Sequence, residues 1–376
     1  MQNPFVYGQV VTGPAFTNRQ KEKKQLADNI RNGIHTIIIS PRRWGKSSLV
    51  AEVTNELERK KIILPVKIDL STIIDERDFF SRYAKAVLKI SYTKADEILE
   101  FLKNAFKSIK PSIAIESLDN SFSLGINFTH RDVEQGFEDI LNLPQLVAKK
   151  KNVRLLVTFD EFQNVANFNN PEIFQAQLRS VLQYHKNVSY VFFGSRKHMM
   201  EDIFHSKSAP FYNFGDVIWL KKISEEDFVP FLIEKFEATG KKISEDKVRT
   251  ILRLMDYNPQ YVQLLANKIW DNSERKITDK AIEEAVETVL MQYEDFFQNA
   301  FEDLTRHQKN FLFGLLKDQD ETIFSSKFIN RNELGSSANV ERVKSALIKK
   351  DLIDFNDGTA SFIDPAFRLW LERKMD

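Results

Sequence analysis

The nine residues Ser40-Pro41-Arg42-Arg43-Trp44-Gly45-Lys46-Ser47-Ser48 have the types and spacing of a loop that holds phosphate. Such a loop reads Gly, four free positions, then Gly-Lys-Ser/Thr. Gly45, Lys46 and Ser47 fit; Ser40 stands where the leading Gly belongs. Lys46 is expected to bridge the β- and γ-phosphates of a nucleotide as a point charge. The Ser47 hydroxyl is expected to take one Mg²⁺ position. Gly45 lets the backbone close on the phosphates, where a Cβ would collide with them. Arg42 and Arg43 add positive charge at the mouth.

A second group of the same chemistry lies downstream. The run Val153 to Thr158, then Phe159-Asp160-Glu161, is an apolar segment closed by two acids, the Walker B form. Asp160 is expected to hold the Mg²⁺ shell. Glu161 is expected to orient and deprotonate the attacking water. The segment Val188 to Ser195 ends in a hydroxyl that can contact a γ-phosphate or the lytic water, as sensor 1 does in AAA+ enzymes.

These groups need elements to hold them. His35 to Ile39 is a short β-branched run, as a buried parallel strand requires. Ser48 to Leu57 has helical spacing, so strand, loop and helix would aim backbone N–H groups and a helix N-terminus at a phosphate. Further strands are expected at Ile62–Leu70, Val153–Glu161 and Val188–Ser195, with a helix from Pro171 to His185. Alternation of strand and helix predicts an α/β fold, a P-loop NTPase parallel sheet with helices on both faces. Its ligand site lies at the carboxyl ends of the strands. Ser40, Asp69, Asp160 and Ser195 all fall at such ends.

The chain has 376 residues, too many for one ordinary core. Its net charge of +1 gives no global steering toward nucleic acid or anionic membrane. With no cysteine, disulfides, thiolate zinc sites and cysteine nucleophiles are excluded. The 31 Phe residues read as core filling. No signal peptide or membrane span is read, so a soluble, cytoplasmic chain without membrane partners is expected.

The remaining segments divide the chain into three. Residues 1–221 form the core, with a helix over 83–110, a hairpin insertion near 111–130 turning at Asp119-Asn120, and a helix over Asp132–Lys151 broken near Pro144. Residues 222–300 form a helical lid, with helix starts at Ser224, Ser244, Asn258-Pro259 and Thr278. Residues 301–376 form a winged helix: helices Leu304–Leu316, Ser326–Leu334 and Asn339–Lys350, then a hairpin around Asn356-Asp357-Gly358. Such a module often reads DNA with its third helix. Here it carries 12 Lys/Arg against 13 Asp/Glu, which favours packing or partner docking at least as much.

The order of these parts resembles the archaeal-type ATPases of the STAND branch of AAA+ proteins, which also occur in bacteria as stand-alone ATP-binding proteins. Pro41 to Leu49 resembles the family's phosphate loop, which assigns Pro41, Arg42, Arg43, Trp44, Gly45, Lys46, Ser47 and Ser48 to the nucleotide. Phe16-Thr17-Asn18-Arg19-Gln20-Lys21-Glu22 is similar to its opening box, which implies Arg19 near the adenine. Asn258-Pro259 resembles the Gly-Asn-Pro turn, which implies Pro259 on the base. Phe159 to Gln163, Phe193-Gly194-Ser195 with Met199-Met200, and Asp364 to Leu371 resemble its Walker B, its sensor 1 strand with the next helix, and its closing segment.

The resemblance implies ATP/ADP and Mg²⁺ as ligands and a slow ATP-hydrolysing switch. Three departures stand out. Ser40 replaces a Gly, Tyr257 stands where Gly precedes Asn-Pro, and the Arg that relatives place near Phe214 is missing. Arg179, Arg196 or a neighbouring subunit are the alternative sources. The alternative functions are a nucleotide-dependent DNA-binding protein, and a non-hydrolysing scaffold for a protein partner or for self-association.

Overall fold

The computed structural model describes residues 2–17, 19–92, 94–118, 121–318, 321–356 and 358–375. Asn18 of the opening box, the expected Asp119-Asn120 turn and Asp357 lie outside the described residues. The chain folds into two compact units. One is Arg19–Ser40 with Lys46–Lys221; the other is Met1–Asn18, Pro41–Gly45 and Lys222–Asp376.

The strands, in chain order, are β1 (Thr36–Ile39), β2 (Ile63–Asp69), β3 (Ser112–Leu118), β4 (Ser121–Asn127), β5 (Arg154–Asp160), β6 (Val188–Phe193), β7 (Asp216–Trp219), β8 (Ile353–Asn356) and β9 (Thr359–Phe362). The first unit is built on a five-stranded sheet of order β2-β5-β6-β1-β7, and every pairing in it is parallel. All residues of β1 and β6 are buried, as are the five central residues of β5. A strand buried from both sides needs helices on both faces, which is why these segments read as unbroken apolar runs. The expected hairpin is present as the antiparallel pair β3–β4. The edge strand β7 was not anticipated. It is half-buried and is held by its register on β1, Thr36 opposite Asp216 through Ile39 opposite Trp219.

Helix boundaries differ from the sequence reading where a cap intervenes. The helix expected over 83–110 is two, Glu76–Ser91 and Ala95–Ala105. Asp75 starts the first by accepting from the Asp78 N–H at 2.8 Å. The break expected near Pro144 within 132–151 is present: the helices are His130–Leu141 and Leu143–Lys151, with Pro144 in the first turn of the second.

Phenylalanine fills the first core. Phe159 stacks on Phe192 at 5.2 Å, and Phe162 meets Phe192 edge-on at 4.8 Å and Phe211 at 5.6 Å. Beside it runs a buried polar chain. Tyr83 donates to the Leu141 carbonyl at 3.1 Å, Tyr190 lies 2.7 Å from His185 Nδ1, and His185 Nε2 lies 3.0 Å from Asn142. Burial holds both His185 and His35 down at about 4, against an ordinary value of 6.5. Their folded pKa is depressed, so the unfolded chain binds protons first. The stability they contribute is complete above pH 6.5 and is lost as pH falls toward 4, by roughly 1.4 kcal/mol per pH unit for each ring. Urea unfolding between pH 7 and 4.5 is expected to show that slope. His35→Phe, which keeps the ring against Phe214 at 4.9 Å, is expected to remove about half of it. An unchanged slope in that variant would assign the acid sensitivity elsewhere.

The second unit joins the helical segment over residues 222–300 and the winged helix in one core. Phe297, on the helix Asp279–Glu302, packs on Phe367 at 5.4 Å and Trp370 at 6.0 Å, both on the helix Pro365–Arg373. The three expected winged-helix helices are Arg306–Lys317, Ser326–Arg331 and Ser337–Lys349, followed by the antiparallel pair β8–β9. Residues near the N-terminus pack in this unit: Phe5 is 2% exposed and lies 4.6 Å from Phe236. The starts at Ser224 and Ser244 are real, but neither hydroxyl makes a cap bond; Asn258 and Thr278 do. Among the described residues no helix is long and apolar enough to cross a membrane.

Candidate functional site

β1 delivers Ser40 to the end of the sheet, and the helix Lys46–Arg59 starts six residues on. Lys46 is 7% exposed, and its ammonium donates to the Ser40 carbonyl at 3.0 Å and to Ser40 Oγ at 3.2 Å. Ser40 does not have the positive φ that would demand glycine, so a serine is tolerated and adds an acceptor for Lys46. Ser47 is half-buried in the first turn and Ser48 is buried.

β5 and β2 set the acids side by side. Asp160 pairs with Asp69 across the ladder, and each closes its strand. Burial, reinforced by the charges of Glu161 and Asp69, pushes the Asp160 carboxyl up to about 6, with Lys46 pulling the other way. Asp160 accepts from the Glu161 N–H at 2.9 Å. Glu161 itself lies in the left-handed region, φ 52°. That conformation costs a glutamate about 1–2 kcal/mol and persists only where the surroundings fix it.

Those surroundings are on the next strand. Glu161 Oε2 accepts from Ser195 Oγ at 2.8 Å, from the Ser195 N–H at 3.2 Å and from Gln163 Nε2. The structure therefore brings Lys46 to Ser40 and Glu161 to Ser195. Gln163, the residue to which the sequence reading gave no role, completes the clamp. It is 2% exposed, and its Oε1 has no hydrogen-bond partner. The space above it is open because residue 194 is glycine; a Cβ there would sit 1.8 Å from Gln163 Oε1. Gly194→Ala is expected to expel the Gln163 amide and to destabilise the protein by about 1–3 kcal/mol, the usual cost of overpacking. Chemical denaturation measures it; wild-type stability in this variant would show that the 163 side chain is not confined.

Other expected ligands are differently placed. Arg19 is 5% exposed and is engaged by Glu22 at 3.1 Å and by the Lys221 carbonyl at 3.2 Å. Arg179 donates to the carbonyls of Pro210 and Tyr212 and lies over the Phe214 ring at 5.8 Å. It braces the turn in which the resemblance implies an arginine. Arg196 is exposed beside Ser195.

The loop Pro41–Gly45 belongs to the second unit. Gly45 has φ 87°, and an added Cβ would meet no atom within 4 Å. Arg42 is exposed. Arg43 donates to Asp364 Oδ2 at 2.9 Å and to the Tyr261 hydroxyl. Pro259 opens the helix Pro259–Asn272, capped by Asn258. Pro41 and Trp44 line a cavity of about 110 Å³ with Asn258, Asp354, Asn356 and Pro365.

Among the described residues no cluster of three or more His, Cys, Asp or Glu side chains makes a dedicated metal cage. One hydroxyl, Ser47, and one carboxylate, Asp160, suit Mg²⁺ instead, which keeps several waters and takes the rest of its shell from substrate phosphates.

Residues 16–265 match the model of the family described as "ATPase domain predominantly from Archaea", and residues 295–373 match that described as "Probable winged helix domain". An uncharacterized ATP-binding protein of Pyrococcus abyssi is 28% identical over 145 residues, a match spanning 37% of this chain and 39% of that protein's length. The solved Walker-type ATPase of the same organism superposes with a TM-score of 0.66 at 15% identity, covering 95% of this chain and 96% of that one. The Aeropyrum pernix ORC2 protein, solved as ADPNP and ADP complexes, gives 0.57 at 13% identity, covering 100% and 98%. At these identities the likeness is one of fold.

Proposed function

Because the chain belongs to the family of ATPase domains found predominantly in Archaea, we propose that it is a slow ATP-hydrolysing switch of the STAND type, whose two states are its ATP and ADP forms. The observation that carries this reading is the clamp on Glu161, which pairs a complete set of hydrolytic groups with a restraint on one of them. In the proposed roles Lys46 neutralises the β- and γ-phosphates, while Ser47 and Asp160 hold Mg²⁺, which supplies charge neutralisation to the phosphates. Glu161 takes a proton from water as the water oxygen bonds to the γ-phosphorus and the bond from that phosphorus to the bridging β-phosphate oxygen breaks, leaving ADP and inorganic phosphate. Ser195 holds Glu161 in place. Turnover is slow in this reading because three donors occupy Glu161 Oε2 and leave only Oε1 for a water, and because Arg179 is engaged by carbonyls.

Nucleotide released from the purified protein, identified by chromatography, and steady-state phosphate release test the reading together. Bound adenine nucleotide with measurable turnover is expected. Tightly held ADP with no turnover would favour the scaffold instead.

The DNA reading draws less support. Lys344, on the third helix of the winged-helix module, lies over the rings of Phe355 at 4.3 Å and Phe324 at 5.4 Å and pairs with Glu341 at 2.8 Å. A cation packed in this way is not available to neutralise phosphate. Duplex binding is expected to be absent near physiological salt; salt-dependent binding there would restore that function.

A further inference from the structure

We propose that Asp364 is a positioning residue for the phosphate-binding loop, which it holds in shape through Arg43. The inference rests on the nucleotide reading of that loop. Within Pro41–Gly45 two residues are left-handed, Arg43 at φ 68° and Gly45 at φ 87°. Alternation of left- and right-handed residues turns successive N–H groups into one concavity, the nest that receives an anion. Glycine adopts the conformation freely, whereas an arginine does so only when something outside the loop compels it.

That compulsion is visible. The Arg43 guanidinium donates to Asp364 Oδ2 at 2.9 Å and to the Tyr261 hydroxyl, and lies 5.2 Å from the centre of the Tyr261 ring. Tyr261 donates in turn to the same Asp364 oxygen. Both anchors are fixed. Tyr261 is 1% exposed. Asp364 uses its other oxygen to cap the helix Pro365–Arg373, accepting from the N–H groups of Ala366 at 3.0 Å and Phe367 at 3.1 Å. That helix is buried through Phe367 and Trp370. Two oxygens of one carboxylate thus do two jobs, one for the helix and one for the loop, and the closing segment of the chain sets the loop's conformation.

The two jobs separate by mutation. Asp364→Ser keeps a good N-cap but has no group that reaches Arg43. Arg43→Met removes the guanidinium and leaves the cap untouched. Amide hydrogen exchange of residues 42–46 is measured in nucleotide-free protein, and ADP is the probe for affinity. Each single variant is expected to exchange at least about tenfold faster in the loop, and the double variant no faster than either, because both changes cut one linkage. ADP affinity is expected to fall about tenfold or more in all three, and Arg43→Lys is expected to recover part of it.

Unchanged loop exchange in Arg43→Met overturns the proposal, and that variant decides the matter even should Asp364→Ser not fold. ADP binding lost in Arg43→Met but intact in Asp364→Ser also overturns it, since Arg43 would then be a direct phosphate ligand. Wild-type protein that binds no ADP would sink the nucleotide reading alone, while loop exchange would still test the linkage.

Discussion

Glu161→Gln is expected to lower ATP turnover by roughly 10²- to 10⁴-fold, the range that a positioned general base contributes, while leaving ATP affinity where it is. The replacement keeps the shape of the side chain and one carbonyl oxygen. That oxygen still accepts from Ser195 Oγ and the Gln163 amide, so the left-handed backbone at 161 retains its restraint. What disappears is the basic lone pair. Phosphate release and nucleotide affinity, measured on the same preparation, separate the two effects. Wild-type turnover in this variant would remove Glu161 from the chemistry and leave its clamp as a structural feature. A parallel fall in affinity would mean that Glu161 shapes the nucleotide site and not the step. Gln163→Ala supplies the complement: one of the three donors goes, the carboxylate stays, and turnover should hold or rise.

Local chemistry made some of this readable in advance. β1, β5 and β6 are buried from both sides, so their apolar runs stand out, and a chemical group ends each of them or follows just beyond. The parallel sheet then forces Asp69 and Asp160 together, because residues in register at the ends of adjacent strands have no other place to be. Features fixed by distant contacts were not readable. β7 is four residues long with partial burial, and its pairing with β1 defines it more than its propensity does. The helix expected through 83–110 keeps an apolar period across its break, and the break at Tyr92 follows from an extended backbone that no residue type there announces.

Side-chain roles obey the same division. Arg19 has the type of a ligand, yet one of its acceptors is a carbonyl 202 positions away. Gln163 carried a signal that could have been used, since an amide two residues after the Walker B glutamate is close enough in chain to reach it. Tyr257 is a local rule broken and repaired. It occupies a left-handed position, φ 56°, where glycine would be free of strain. Its hydroxyl donates to Glu225 and the Lys222 ammonium lies 5.9 Å from its ring centre, contacts that glycine would not make. Ser40 differs again. Its backbone makes no demand for glycine, so the departure from the motif adds a bond to Lys46 and imposes no strain.

Lys46→Met is expected to weaken ATP binding by roughly 30- to 5,000-fold, which is the 2–5 kcal/mol that truncating one partner of a buried charge pair costs. The same change should cost the nucleotide-free protein no more than about 1–3 kcal/mol of stability, the cost of leaving the Ser40 acceptors without their donor. Lys46 is 7% exposed, and its ammonium donates to a carbonyl and a hydroxyl of Ser40 and draws the Asp160 carboxyl down by its charge. A lysine kept buried in this way has its strongest reason in an anion that arrives from outside. Urea unfolding without nucleotide and titration with ATP answer the two halves separately. Retained ATP affinity in Lys46→Met would dissolve the assignment of the whole loop. Loss of stability well beyond that, together with loss of binding, would make Lys46 a strut between Ser40 and the helix it begins, a part that its bonds to Ser40 alone would allow.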